Sequence, residues 1–187
     1  RSIFSRLLTS PDQVPNEVGK LTIETDGGVP VSASDLARAA QLLVTRGNGP
    51  VVRVGLRGFE PLVAALWAQL WPSIRRRFSF RLSFGPNDIV EQPEPTLVCT
   101  PPTLIGRWQK HRIIGQSVAG ALSAAAMIDG SDAGAEMRRF AEQIEAELDS
   151  FEALLLLERA HLFATAKPDA LDRLIPAVRL IQHLSPD

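Results

Sequence analysis

Chain breakers are placed unevenly in this sequence, and that asymmetry limits the fold more than any other feature. Eleven of the fourteen prolines lie in residues 1–110, and no glycine follows Gly134. Turn formers at that density punctuate a strand-and-helix fold. Their scarcity behind residue 111 predicts helices. Charge divides at the same place. Residues 1–110 carry 13 Lys/Arg against 9 Asp/Glu, and residues 111–187 carry 7 against 12. The expectation is an α/β subdomain over 1–112 followed by a helical subdomain over 113–187.

In the front part, Leu21–Thr25, Val51–Leu56, Phe78–Phe84 and Thr96–Thr100 read as strands. Ser32 or Ser34 suits the start of a helix striped by Leu36, Ala39, Ala40, Leu43 and Val44. A second helix is expected from Phe59 to Trp71, apolar on most sides, with Pro72 kinking or ending it. Strands alternating with helices predict a small mixed or mostly parallel sheet with crossover helices. In residues 78–84, Phe78, Phe80, Leu82 and Phe84 share one face, which is expected to be the buried one, on a strand toward an edge. Pro101-Pro102 opens a short helix through Trp108.

In the back part, Ser117 to Ile128 predicts a helix of small residues. A long helix of about 45 Å is expected from Ala135 to Ala164, on the stripe Met137, Ala141, Ile144, Leu148, Phe151, Leu155 and Leu162. Lys167-Pro168-Asp169 turns the chain into a last, antiparallel helix striped by Leu171, Leu174, Ile175, Val178, Ile181 and Leu184. The long helix's stripe is expected to pack on the sheet or on residues 117–128; Leu154, Leu156 and Leu157 widen it beyond one seam, and that excess is left to meet another chain or domain.

The composition, 45% hydrophobic and 22% charged, is that of a globular protein. A net charge of −1 gives no general pull toward nucleic acid. One cysteine excludes an internal disulfide and points to the cytoplasm. The longest apolar run, Ala153–Leu157, is far short of the ~20 residues of a membrane span. A first residue of Arg, not Met, suggests a piece of a longer protein.

Catalytic chemistry finds no foothold. Residues 115–120 do not form a nucleophile elbow. Cys99 sits mid-strand, where a buried inert thiol is the plain reading. No histidine pair has metal-ligand spacing. No catalytic residue, cofactor or metal is therefore expected. Two polar constellations remain. The strand-to-helix turn Val54–Pro61 has neither dinucleotide nor P-loop spacing. Gly55, Arg57 and Gly58 would nonetheless meet an anion at a helix start, helped by Arg75 to Arg77; the plainer reading is a turn that uses glycine for its geometry. Arg75, Arg76, Arg77 and Arg81 would either face an acidic partner or complement a helix end.

The stretch Leu70-Trp-Pro-Ser-Ile-Arg-Arg-Arg-Phe-Ser-Phe-Arg-Leu-Ser-Phe-Gly-Pro86 resembles a segment of the bacterial GTPase-associated protein 1 family, around its middle domain. Leu36–Leu56 and Leu97–Pro101, leading to Arg107-Trp108, extend the resemblance over roughly residues 30–115. It implies a domain of a large multidomain protein encoded beside GTPases and acting as an adaptor, with no catalytic motif. The expected partners are the flanking domains or a neighbouring GTPase. A homodimer is a further option, and neither membrane nor nucleic acid is expected. The alternative function is a degenerate nucleotide- or anion-responsive domain.

Overall fold

A computed structural model describes residues 31–115, 122–165 and 171–185. The elements are α1 (Ala33–Val44), β1 (Val51–Val54), α2 (Phe59–Gln69), α3 (Pro72–Arg77), β2 (Phe80–Leu82), β3 (Leu97–Thr100), β4 (Arg112–Ile113), α4 (Ser123–Ala126), α5 (Ala135–Gln143), α6 (Phe151–Thr165) and α7 (Leu171–Leu184). The strands form one parallel sheet in the order β2-β3-β1-β4. This is an α/β fold with a helical C-terminal part, as the breakers and periodicity predict. The expected strand at 21–25 lies outside the described residues. The fourth strand is instead Arg112–Ile113, which spans the expected subdomain boundary and pairs with β1.

Alternation along the strands divides the core in two. Val51, Leu97 and Cys99 face α1 and α2 in a large cluster that continues into α4, α5 and α6. Val52, Val98 and Ile113 face the other way, onto Trp108 at the end of the 3-10 turn Pro102–Trp108. Trp108 is fully buried, and its Nε1 donates to Thr100 Oγ1 at 3.1 Å. The connection from β1 to β2 runs through α2 and α3 on the first face. The connection from β3 to β4 runs through the Trp108 turn on the second.

Two front elements differ from expectation. The helix from Phe59 ends at Gln69, and Leu70 turns extended before Pro72 opens α3 as its first residue. Proline suits that position because its missing N–H would be unpaired anyway. Burial in α2 is one-sided, over Phe59, Leu62, Val63 and Leu66, and Trp67 is exposed. The strand expected over 78–84 shrinks to Phe80–Leu82. Phe78 N–H bonds back to Ile74 O at 2.9 Å, which ties Phe78 to the end of α3. Phe84 N–H turns to the Asp88 carboxylate at 2.9 Å. The position at a sheet edge is as read from the sequence.

The back part differs more. Of the helix expected over 117–128, residues 117–121 lie outside the described residues, and the helical stretch in the rest is Ser123–Ala126. Ala124 and Ala125 pack against the α1 side that carries Ala39 and Ala40, and side chains this small let the two backbones approach closely. Its start is capped from two other helices. Gln41 Oε1 accepts from Leu122 N–H at 3.0 Å, and Glu158 Oε1 accepts from Ser123 N–H at 2.8 Å. Glu158, the one charge in the expected apolar stripe, is buried for this purpose.

The expected 45 Å helix is two helices, α5 and α6, because α5 closes in a Schellman motif. Ala146 N–H reaches Ala141 O at 2.9 Å and Glu145 N–H reaches Glu142 O at 3.2 Å, with Glu145 at φ 50°. Ser150 Oγ then accepts from Ala153 N–H at 3.2 Å and starts α6. Leu154 and Leu157 lie fully buried in the main cluster and Leu156 is partly buried, so the surface expected there for a partner is core of this chain. The hairpin is antiparallel: Glu147 N–H, just before α6, bonds Leu184 O at 2.7 Å at the end of α7. α7 buries Ala177 and Leu184, with Leu180 and Ile181 partly covered, whereas Leu174, Ile175 and Val178 of the expected stripe are exposed.

Two outcomes follow for stability. Leu157→Ala costs about 2–5 kcal/mol in urea unfolding if Leu157 is core; a change below 0.5 kcal/mol would return it to the surface. Glu145→Gly relieves a left-handed non-glycine residue. A gain of about 1 kcal/mol is expected, and a rise of about 2–4 °C in Tm measured by circular dichroism.

Candidate interaction surface at the carboxyl edge of the sheet

The turn after β1 is built from its glycines. Gly55 and Gly58 hold φ of 83° and 80°, values that side chains with a Cβ adopt at a cost. Gly55 N–H continues the ladder to Thr100 O at 2.9 Å, and Cys99 Sγ donates to Gly55 O at 3.4 Å. Arg53 braces the same turn. It pairs with Asp35 of α1 at 3.1 Å and donates to Val54 O at 3.1 Å and Arg57 O at 3.4 Å. Arg57 itself is exposed.

Gly55, Arg57 and Gly58 therefore share one turn, but it makes a poor anion cradle. Phe59 N–H is bonded to Leu56 O and Leu62 N–H to Gly58 O. Pro61 has no N–H, so Glu60 alone offers one in the first turn of α2. The expected help from Arg75 to Arg77 is absent, because these residues sit past the opposite end of α2, roughly 16 Å away along its axis. There Arg75 donates to Leu70 O at 3.0 Å and Ala68 O at 3.4 Å, serving the unpaired carbonyls at the end of α2.

The remaining cluster arginines have separate tasks. Arg77 pairs with Asp149 at 3.0 Å and so joins α3 to the start of α6. Arg76 is exposed and reaches Ser73 Oγ at 3.4 Å. Arg81 pairs with Glu91. Glu91's own backbone N–H, with Val90 N–H and the Arg81 charge, holds that carboxyl below its usual range.

A cavity of about 570 Å³ lies at the opposite, amino edge of the sheet, between residues 45–48, the end of α3 and the start of α6. Its arginines are largely engaged. Arg77 is held by Asp149. Arg112 donates to Leu42 O, Thr45 O and Gly49 O at 2.8, 2.6 and 2.6 Å, and its burial lowers its pKa. The cavity is a seam between the α/β and helical parts. His111 stacks edge-on against Trp108 and His161 against Phe140, with His161 Nε2 also 3.6 Å from the Glu136 carboxylate. Among the described residues no group of three or more His, Cys, Asp or Glu side chains is placed to hold a metal ion. Among them, no helix is long and apolar enough to cross a membrane.

The feature that stands out is the one that sequence reasoning placed inside. Register sets Phe80 beside Leu97 and Leu82 beside Cys99, so these side chains emerge on the face covered elsewhere by α1 and α2. Over β2 the described residues provide less of that cover. Phe80 meets the edges of Phe59 and Phe78 at 6.2 and 6.3 Å between ring centroids, yet stays 48% exposed. Leu82 is 53% and Phe84 62% exposed, and Leu56 of the neighbouring turn is 65% exposed. The opposite phase, read as the outward one, is the better covered. Ser83 is buried with its Oγ donating to Gly85 O at 2.9 Å, and Arg81 is half-buried. Period-2 alternation identified the apolar face correctly, but nothing in the sequence signals that α2 stops covering the sheet before β2.

Fold and surface together define a small parallel α/β domain with an attached helical layer and an uncovered apolar strip at one sheet edge. Comparison with known proteins finds no family model that matches the chain, and no significant match among curated proteins or solved structures.

Cys99 offers a check on this edge. Burial pushes its thiol pKa up, against the opposing charge of Arg53. Its thiolate is therefore scarce at pH 8.5, where a free cysteine is about half ionised. Alkylation by iodoacetamide should run about tenfold or more slower in the native chain than in urea. Equal rates would mean that the β3 end is open.

Proposed function

We propose that this chain is a non-enzymatic protein-interaction domain, an adaptor within a larger bacterial GTPase-associated protein, acting in the cytoplasm on flanking domains or a neighbouring GTPase. The observation that carries the interaction reading is the strip Phe80-Leu82-Phe84, apolar and about half or more exposed on a surface where each would gain by burial. Full burial of one such side chain is worth about 1.5–3 kcal/mol, so the strip is a costly surface to leave in water. The resemblance of residues 70–86 to the GTPase-associated family supports the adaptor role, and those residues include β2 itself. The anion-responsive alternative is the weaker reading, because the turn at Gly55–Gly58 has one free helix N–H.

A photo-crosslinking side chain at Leu82 tests this in the native organism, with one at exposed Ala64 on α2 as control. A discrete protein adduct is expected from position 82 and not from 64. Its identification by mass spectrometry as a GTPase or an adjoining domain supports the adaptor reading. No adduct, or equal adducts from both positions, would remove it.

A further inference from the structure

We infer that the occupant of this strip is an amphipathic α-helix with acidic flanks supplied by a partner protein, docking over the α1/α2 side of β2 where the described residues place no helix. This rests on the interaction reading above and narrows it. Three observations select that partner.

The first concerns the free edge of β2. In a parallel ladder alternate residues turn both backbone groups to the same neighbour. Here Ser79, Arg81 and Ser83 turn to β3, with Ser79 O accepting from Leu97 N–H and Ser83 N–H donating to Cys99 O. Phe80, Leu82 and Phe84 turn outward. Three of their six outer groups are engaged already. Phe84 N–H goes to Asp88, Phe84 O accepts from Arg107 at 3.3 Å, and Leu82 O accepts from Arg81 Nε at 3.1 Å. An added strand would be limited to the two groups of Phe80 and the Leu82 N–H, a ladder too short to hold a strand on backbone pairing alone. The apolar face beside that edge is unprotected.

The second concerns shape. Side chains of β1 and β3 on this face are covered by α1 and α2, whereas on β2 Phe80 is half-exposed beside Phe59 of α2 and Leu82 is more exposed still. A partner helix would extend that layer by one position. Phe80 to Phe84 span roughly 13 Å, the length of about nine helical residues.

The third concerns charge. Residues 31–115 carry eleven basic and five acidic side chains. Arg57, Arg76 and Arg107 are exposed and in no ion pair among the described residues. Arg107 donates to the Phe84 carbonyl, and Arg57 and Arg76 stand two residues from Phe59 and Phe78 in the sequence. Of the acids nearby, Glu91 is held by Arg81 and Asp88 by Phe84 N–H, which leaves Glu60. The rim therefore favours carboxylates on the incoming helix.

The test uses the whole chain and three fluorescent peptides of about fourteen residues, long enough to cover the strip. One has a leucine stripe flanked by Glu, one the same stripe flanked by Lys, and one the Glu version broken by central prolines. Fluorescence anisotropy should show the Glu-flanked helix binding at least tenfold tighter than either of the others. Leu82→Asp and Phe84→Asp should abolish binding, and Arg107→Glu should weaken it several-fold, with unchanged circular dichroism because all three side chains are exposed. Leu174→Asp on the exposed face of α7 should leave it unaltered. Equal binding of the Lys-flanked or proline-broken peptide, or equal loss in Leu174→Asp, overturns the inference. So does self-association in sedimentation that Leu82→Asp abolishes, since a second copy would then be the occupant. If no helical peptide binds while the crosslinker at position 82 still captures a discrete partner, the helix is wrong and the interaction reading stands.

Discussion

Val51, Leu97 and Cys99 leave one side of a four-stranded parallel sheet, and Val52, Val98 and Ile113 leave the other. A parallel sheet is stable when both faces are covered, and the rest of the molecule is arranged by how this chain covers each. Among the described residues one face receives Trp108 from a seven-residue 3-10 turn, with Ile89 partly buried against the same cluster. The other receives α1 and α2, and behind them a helical layer that shares the same apolar cluster. Expected partner-facing leucines such as Leu154 and Leu157 sit inside because α1 and α4 need a second wall. The cover runs out at β2, and the uncovered strip is where the chain has surface to offer.

Arginine does much of the joining. Of twenty basic residues only Lys20, Lys110 and Lys167 are lysine. The planar, five-donor guanidinium suits the use made of it here. Arg75 serves the end of α2, Arg53 braces the turn after β1, and Arg138 donates to Gln69 Oε1 at 3.0 Å and to Met127 O while lying over the Trp71 ring. Arg53 and Arg138 tie elements far apart in sequence, and Arg75 closes the joint between the neighbouring α2 and α3. The arginine run at 75–77, which in sequence looks like one binding patch, is in space two separate fastenings, by Arg75 and Arg77, with Arg76 left at the rim.

What the sequence makes legible follows from the reach of each signal. Breakers and periodicity are local, and they correctly separate a strand-and-helix part from a helical part, locate α1, β1, β3 and the Trp108 turn, and put β2 at an edge. They fail where a break uses no breaker. Glu145 takes a left-handed conformation that glycine would usually fill, so a continuous 4–3 stripe conceals two helices. They fail at β4 because two residues carry no detectable alternation. They fail at the strip because coverage depends on where α2 and α3 cross the sheet, a property of topology and not of residues 78–84. The turn at Gly55–Gly58 is legible both as geometry and as an anion site; in the structure Phe59 and Leu62 N–H, two donors an anion would use, are bonded within the turn and helix start.

Arg112 has a consequence for how the sheet finds its alignment. A strand of two residues contributes little backbone information, and Ile113 alone would tolerate a slip. With Arg112 in place, a one-residue shift would swing the guanidinium away from the carbonyls of Leu42, Thr45 and Gly49 and press its charge against Trp108. A single side chain thus acts as the key that admits one alignment of the last strand and rejects its neighbours.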